Sequence, residues 1–424
     1  MFTLLPSLLG FFFWFASPAP LSGTAIQWQE AKLFDLPTET DPVVTNLIED
    51  YLDRLEAKGY DRQRQGIWFQ SEWAYLAHNQ EAVAISAASL TKIATSLAVI
   101  NRWGPEHRFE TRFYSTGPVV AGVLQGDLII QGGFDPLFVW EEAIAVGNAL
   151  NRQGIKQIRG NLVITGNFAM NFKTDPQIAG ALFQQALQAQ RWSPLIKKQY
   201  ANLPAGTPKP DVTLEGQVLT QAQLPAEAQP LLRRQSLSLA QIVKQMNIYS
   251  NNDIAEILAQ SLGGAAVVAQ EASRLAKIAP GEIQLKNGSG LAVENRLSPR
   301  AVTQLYQALQ GLLKPQGLTL ADLFPVMGRN HKGTLEWRAL PPGLIVKTGT
   351  LNQVSALAGI IPTQERGIVW FTVINGGPHF DRLRAEQDRL LQRLAEHWHI
   401  LATDLNPGPT DQVSLGSPDR TLIP

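Results

Sequence analysis

Three short clusters of reactive side chains stand in one order along the 424 residues: Ser89-Leu90-Thr91-Lys92, Ser250-Asn251-Asn252 and Lys347-Thr348-Gly349. Each pattern (S-x-x-K, S-x-N, K-T-G) occurs once. A serine hydroxyl is a poor nucleophile until a base takes its proton. A lysine three residues further along a helix shares its face and can be that base, once burial and nearby positive charge lower its pKa. Lys347 is a source of such charge. The chemistry these residues could do together is acyl transfer through a serine ester.

Each cluster also has a plainer reading. Ser89 could cap a helix and Lys92 could be a solvated surface residue. Ser250, Asn251 and Asn252 are all good cap residues. Lys347 could sit on an exposed strand edge. The three in this order outweigh those readings. Ser250 then relays a proton towards the leaving group, and Asn252 hydrogen-bonds the substrate backbone and Lys92. Lys347 and Thr348 offer a cation and a hydroxyl to a carboxylate. Gly349 lets another element approach the strand. The backbone N–H groups of Ser89 and Thr350 would make the oxyanion hole, and the strand edge could hold an extended peptide.

Elements must bring these segments together. Apolar spacing predicts helices over 41–58, 90–103, 237–262, 298–313 and 380–398. Gly59 and Gly104-Pro105 stop the first two, and Ser298-Pro299 opens the fourth. Short apolar runs predict strands at 66–70, 73–76, 344–350, 356–361 and 368–374, with a turn at His78-Asn79-Gln80. Between 112 and 171 the runs are short and glycine-bounded, which predicts a β-rich region with one helix near 140–152. A helix follows over 172–189 and a strand at 212–214. No internal repeat is visible.

The expected division is 26–114 with 236–402 as one domain and 115–235 as an insertion. Residues 403–424, rich in Pro, Gly, Ser and Asp, are expected to form a flexible tail. Residues 1–25 read as a signal peptide or an N-terminal anchor. They carry an apolar run (FTLLPSLLGFFFWFA) and a small-residue tail, without a basic leader. An exported protein of the periplasm or cell envelope is therefore expected, and an uncleaved segment would give peripheral membrane association.

Composition excludes several functions. Basic and acidic residues balance at 36 each, so no global field favours nucleic acid. Cysteine is absent, which rules out disulfides, thiolate metal sites and a cysteine nucleophile. The six histidines are scattered, and no metal site or cofactor is expected.

The chain resembles the class C low-molecular-mass penicillin-binding proteins, serine D-alanyl-D-alanine carboxypeptidases and endopeptidases, over roughly residues 40–400. The resemblance extends beyond the three motifs. It includes Ala87-Ala88-Ser89, Gly126-Asp127-Leu128 through Gly133-Phe134-Asp135-Pro136, and Gly160-Asn161-Leu162-Val163. It further includes Asn287-Gly288-Ser289-Gly290-Leu291 with Asn295-Arg296, Gly333-Thr334-Leu335, and Thr350-Leu351 with Ser355-Ala356-Leu357-Ala358-Gly359.

It implies an α/β (α+β) fold of the penicillin-binding-protein/β-lactamase type. That fold has an antiparallel sheet flanked by helices and interrupted by an insertion. It also implies that Ser89 is acylated, that Lys92 is the base, and that Ser250, Asn252 and Lys347 complete the site. The implied partners are peptidoglycan stem peptides and β-lactams; the oligomeric state stays open. Two positions depart from the family pattern: Asn287 stands where aspartate is common, and Phe134 where a small residue is expected. The interval from Ser89 to Ser250 is shorter than in some members. Competing readings are a β-lactamase and a non-catalytic wall-binding protein that retains the fold.

Overall fold

The computed structural model describes residues 41–401 and 405–424. The expected leader over 1–25 lies outside them. The main sheet has five strands in the spatial order Ile345–Leu351, Val354–Thr363, Gly367–Gly376, Gln65–Gln70 and Tyr75–Asn79. All neighbours pair antiparallel. Its last strand runs through His78 and Asn79, which the sequence reading placed in a turn; the chain reverses at Gln80, with φ 51°.

The period of two explains why helices cover both faces. In Val354–Thr363, Ala356, Ala358 and Ile360 pack into one core, and Leu357 and Ile361 into another. The first core is shared with the helices Thr91–Trp103 and Pro299–Leu313. The second is shared with Pro42–Glu56 and Phe380–Trp398. Each fully buried aliphatic or aromatic side chain contributes about 1.5–3 kcal/mol of burial. Ser298 caps its helix as expected, accepting from Ala301 N at 3.0 Å ahead of Pro299.

The insertion has its own core around Phe113, Phe138, Phe168 and Phe183. Its six-stranded sheet begins with Glu110–Ser115, which straddles the expected boundary at 115. The predicted helix appears at Trp140–Arg152.

The tail departs from expectation. Residues 405–424 are not loose but fastened to the body. Asp411 pairs with buried Lys244 at 3.2 Å, Arg420 pairs with buried Glu142 at 2.6 Å, and Thr421–Leu422 extends the insertion's sheet. A few ionic anchors outweigh a loop-like composition. Among the described residues no helix is long and apolar enough to cross a membrane.

Candidate active site

Ser89 does not cap the helix. A single 3-10 turn, Ala88–Leu90, precedes Thr91–Trp103, and neither element has a side-chain cap at its start. Ser89 Oγ is thereby left to accept from Lys92 Nζ at 3.1 Å. Ala88, immediately before it, is buried and left-handed at φ 48°. Such a backbone is sparsely populated for a residue with a Cβ, and strain of this kind gathers at functional turns.

Lys92 is wholly buried. Besides Ser89, its ammonium donates to Asn252 Oδ1 and to the Ser289 carbonyl, both at 2.7 Å. Burial pulls its pKa down to about 7, against the opposing pull of the Glu256 carboxylate. A buried lysine near neutrality can exist as a free amine and take a proton.

The predicted helix over 237–262 is two helices, Leu239–Tyr249 and Asn252–Ser261, broken at Ser250. Ser250 is left-handed at φ 51° and ends the first helix. Asn251 caps the second, accepting from Ile254 N at 2.9 Å. Capping thus falls to the middle residue of the motif, and the side chains of Ser250 and Asn252 are spared for Lys347 and Lys92.

Lys347 reaches Ser250 Oγ at 3.0 Å and the Thr348 carbonyl at 2.7 Å. It too is wholly buried, not an exposed edge lysine. Burial holds its pKa well below the ordinary lysine value, and the Lys92 charge lowers it further.

The motif strand lies at the edge of the main sheet. Val346 N donates outward, to Pro325 O at 3.0 Å. The period of two sends the N–H groups of Thr348 and Thr350 out by the same edge. Gly349 is where the strand meets the Ala88–Leu90 turn. A Cβ there would stand 2.9 Å from Ala87 O and 3.2 Å from Ala88 Cβ.

Residues 287–290 form the remaining wall. Gly290, at φ 84°, comes so close to Ala88 that a Cβ would lie 1.9 Å from its carbonyl oxygen. Asn287 Oδ1 accepts from Gly290 N at 3.0 Å and from Asn295 Nδ2 at 2.5 Å. Both bonds need only a neutral acceptor, so an amide serves where an aspartate is common. Phe134, where the family resemblance led us to expect a small residue, is left-handed at φ 67°, a backbone that glycine adopts with less strain. Its ring packs against the main core.

The structure therefore brings Ser89, Lys92 and Asn252 into one hydrogen-bonded group and Ser250 and Lys347 into a second, near enough for the Lys92 charge to act on Lys347. A cleft of about 600 Å³ runs beside the second motif. Tyr249, Asn251 and Ile254 line it on one side, and Leu137, Trp140 and Phe172 from the insertion on the other.

The D-Ala-D-Ala carboxypeptidase 3 (S13) family model matches residues 68–176 and 177–397. The chain belongs to this family. It is 27% identical over 347 residues to a carboxypeptidase of Mycobacterium tuberculosis, covering 70% of this chain and 73% of that relative. It is 24% identical over 393 residues to the D-alanyl-D-alanine carboxypeptidase DacB of Haemophilus influenzae, covering 68% and 80%. Among solved structures, a predatory peptidoglycan endopeptidase of Bdellovibrio bacteriovorus superposes with a TM-score of 0.69 at 20% identity, over 82% of this chain and 96% of its own. Penicillin binding protein 4 of Haemophilus influenzae superposes at 0.62 and 21% identity, over 82% and 99%. The fold is that of this group: an antiparallel sheet between helices, with an inserted region.

Two site neighbours in this family member escaped the sequence reading. Glu256 accepts from Gly288 N at 3.1 Å and Ser289 N at 2.9 Å, and so presents the Ser289 carbonyl to Lys92. It lies four residues after Asn252 on one helix face, and that spacing was the available signal. Arg384 donates to Thr350 Oγ1 at 2.8 Å. Its position on a distant charged helix gave none.

Proposed function

We propose that this protein is a serine-type D-alanyl-D-alanine carboxypeptidase acting on peptidoglycan stem peptides through an acyl-enzyme on Ser89. One observation carries the reading: a buried lysine with a pKa near 7 touches both a serine hydroxyl and an asparagine 160 residues away. Neutral Lys92 takes the Ser89 proton as Oγ attacks the carbonyl carbon of the penultimate D-alanine. The N–H groups of Ser89 and Thr350 hold the oxyanion. The proton passes by way of Lys92 and Ser250 to the leaving nitrogen, the C–N bond breaks, and D-alanine departs. Water, deprotonated by Lys92, then hydrolyses the ester and restores Ser89. Lys347 holds Ser250 in the relay through its hydrogen bond, and Thr348 receives the terminal carboxylate.

The cleft beside Tyr249 takes the upstream part of the peptide. β-Lactams acylate the same serine. Residues 26–114 and 236–402 supply the chemistry, and the insertion supplies one cleft wall. Export to the periplasm or cell envelope accords with the apolar run at residues 2–16. Mass spectrometry of monomeric and crosslinked muropeptides after incubation tests the proposal. Loss of one terminal D-alanine from pentapeptides is the expected result, and unchanged pentapeptides would reject it. Cleavage of crosslinked species would add endopeptidase activity. Sustained nitrocefin turnover, in place of a single burst, would favour a β-lactamase.

A further inference from the structure

We infer that Arg384 reads the carboxylate beside the scissile bond, working across Thr350. This inference deepens the peptidase reading and rests on it. Arg384 lies in the second turn of Phe380–Trp398, and its Nη2 donates to Thr350 Oγ1 at 2.8 Å. Arginine carries donors and no acceptor. Thr350 Oγ therefore accepts from Arg384, and its single O–H is left to donate to another group. Thr348 and Thr350 project from the same face of the motif strand, the one covered by the Phe380–Trp398 helix. Lys347 projects from the other face and is already bonded to Ser250 and the Thr348 carbonyl. Arg384 is thus the cation on the Thr350 side of the strand, and its five donors exceed what its bonds to Thr350 and Asp381 use.

Its surroundings suit a ligand that comes and goes. The side chain is 31% exposed, and its ion-pair partner Asp381, at 3.2 Å, is 79% exposed. A solvated pair of that kind is worth little and yields readily to another carboxylate. The Phe380 ring, 4.8 Å from the guanidinium carbon, fixes the plane of the fork. A planar fork of two N–H groups matches a carboxylate better than a lone ammonium does. Arg384 has no part in moving protons; it selects the substrate whose leaving residue carries a free carboxylate.

The test compares an N-acetylated tripeptide ending Lys-D-Ala-D-Ala with its C-terminal amide, in the full-length wild type, Arg384→Ala and Arg384→Lys. Wild type should favour the acid. Arg384→Ala should lower kcat/KM on the acid by about 10- to 100-fold, the loss expected for a hydrogen-bonded charge. The amide should change by less than about threefold, so that the preference collapses. Arg384→Lys should restore part of it. A parallel fall on both substrates, or an undiminished preference, overturns the inference. Acylation by benzylpenicillin and by its methyl ester gives a second, independent comparison. If wild type cleaves neither peptide, the peptidase reading falls. The penicillin pair then decides on Arg384: a collapsed acid-over-ester preference supports it, and an intact one overturns it.

Discussion

Lys92 Nζ and Asn252 Oδ1 lie 2.7 Å apart, although 160 residues separate them in the chain. The whole insertion is threaded between the two. The contact exists because the helix bearing Lys92 and the helix opened by Asn252 share one core, through Ile93, Leu97, Ala255 and Leu258.

Ser89→Ala should abolish labelling by fluorescent penicillin and leave the melting temperature within a few degrees. The hydroxyl makes one bond, to Lys92, and Lys92 keeps two other acceptors. Lys92→Ala should lower labelling almost as far. Near-normal labelling of Lys92→Ala would show that the base lies elsewhere.

Acylation should rise with pH through about 7 and then level off, because only the free amine of Lys92 can accept the serine proton. The Glu256 carboxylate favours the charged amine. Glu256→Gln should therefore move the acid limb of the pH–rate profile to lower pH. A limb that stays in place would mean that Glu256 exerts no field at Lys92.

Stability should climb between about pH 7 and pH 10. The unfolded chain keeps the Lys92 proton up to about 10.5, and the folded chain releases it near 7. Over that interval the unfolded state binds more protons, so raising the pH favours folding. Lys244, held down at about 8 by burial, acts in the same direction. Urea midpoints measured across this range should shift upward, and Lys92→Met should flatten the slope. An equal slope in both proteins would contradict a buried, depressed Lys92.

Asp411→Ala should destabilise the protein by about 3–5 kcal/mol, since it strands the wholly buried Lys244 without its counter-charge. Denaturant unfolding measures this directly. A loss under about 1 kcal/mol would show that the Ala321 and Phe324 carbonyls suffice for the ammonium.

Much of this arrangement was legible in the sequence, because local rules carried it. The apolar run at 356–361 and the Ser298-Pro299 helix start are short-range patterns with short-range causes. The three motifs announced themselves by residue type. Their settings were less readable. Ser89 was expected at or beside the helix start and lies in the turn just before it, but the contact of Gly290 with Ala88 that holds the turn had no local signal. The break at Ser250 was half readable: the cap residues there pointed to a helix start, while helical periodicity runs through it on both sides. Arg384 and Asp411 were missed for another reason. Each acts on a partner that only tertiary folding supplies, and one stands in a helix crowded with other charged residues.

Ser250 holds a left-handed backbone that glycine would adopt with less strain, by up to about 1–2 kcal/mol. That exchange would also delete the hydroxyl facing Lys347. A laboratory screen that rewards heat tolerance alone would therefore weigh the relieved backbone against one lost bond to Lys347, and would place little value on the serine at this one codon. Only a screen that scores turnover would keep a serine there.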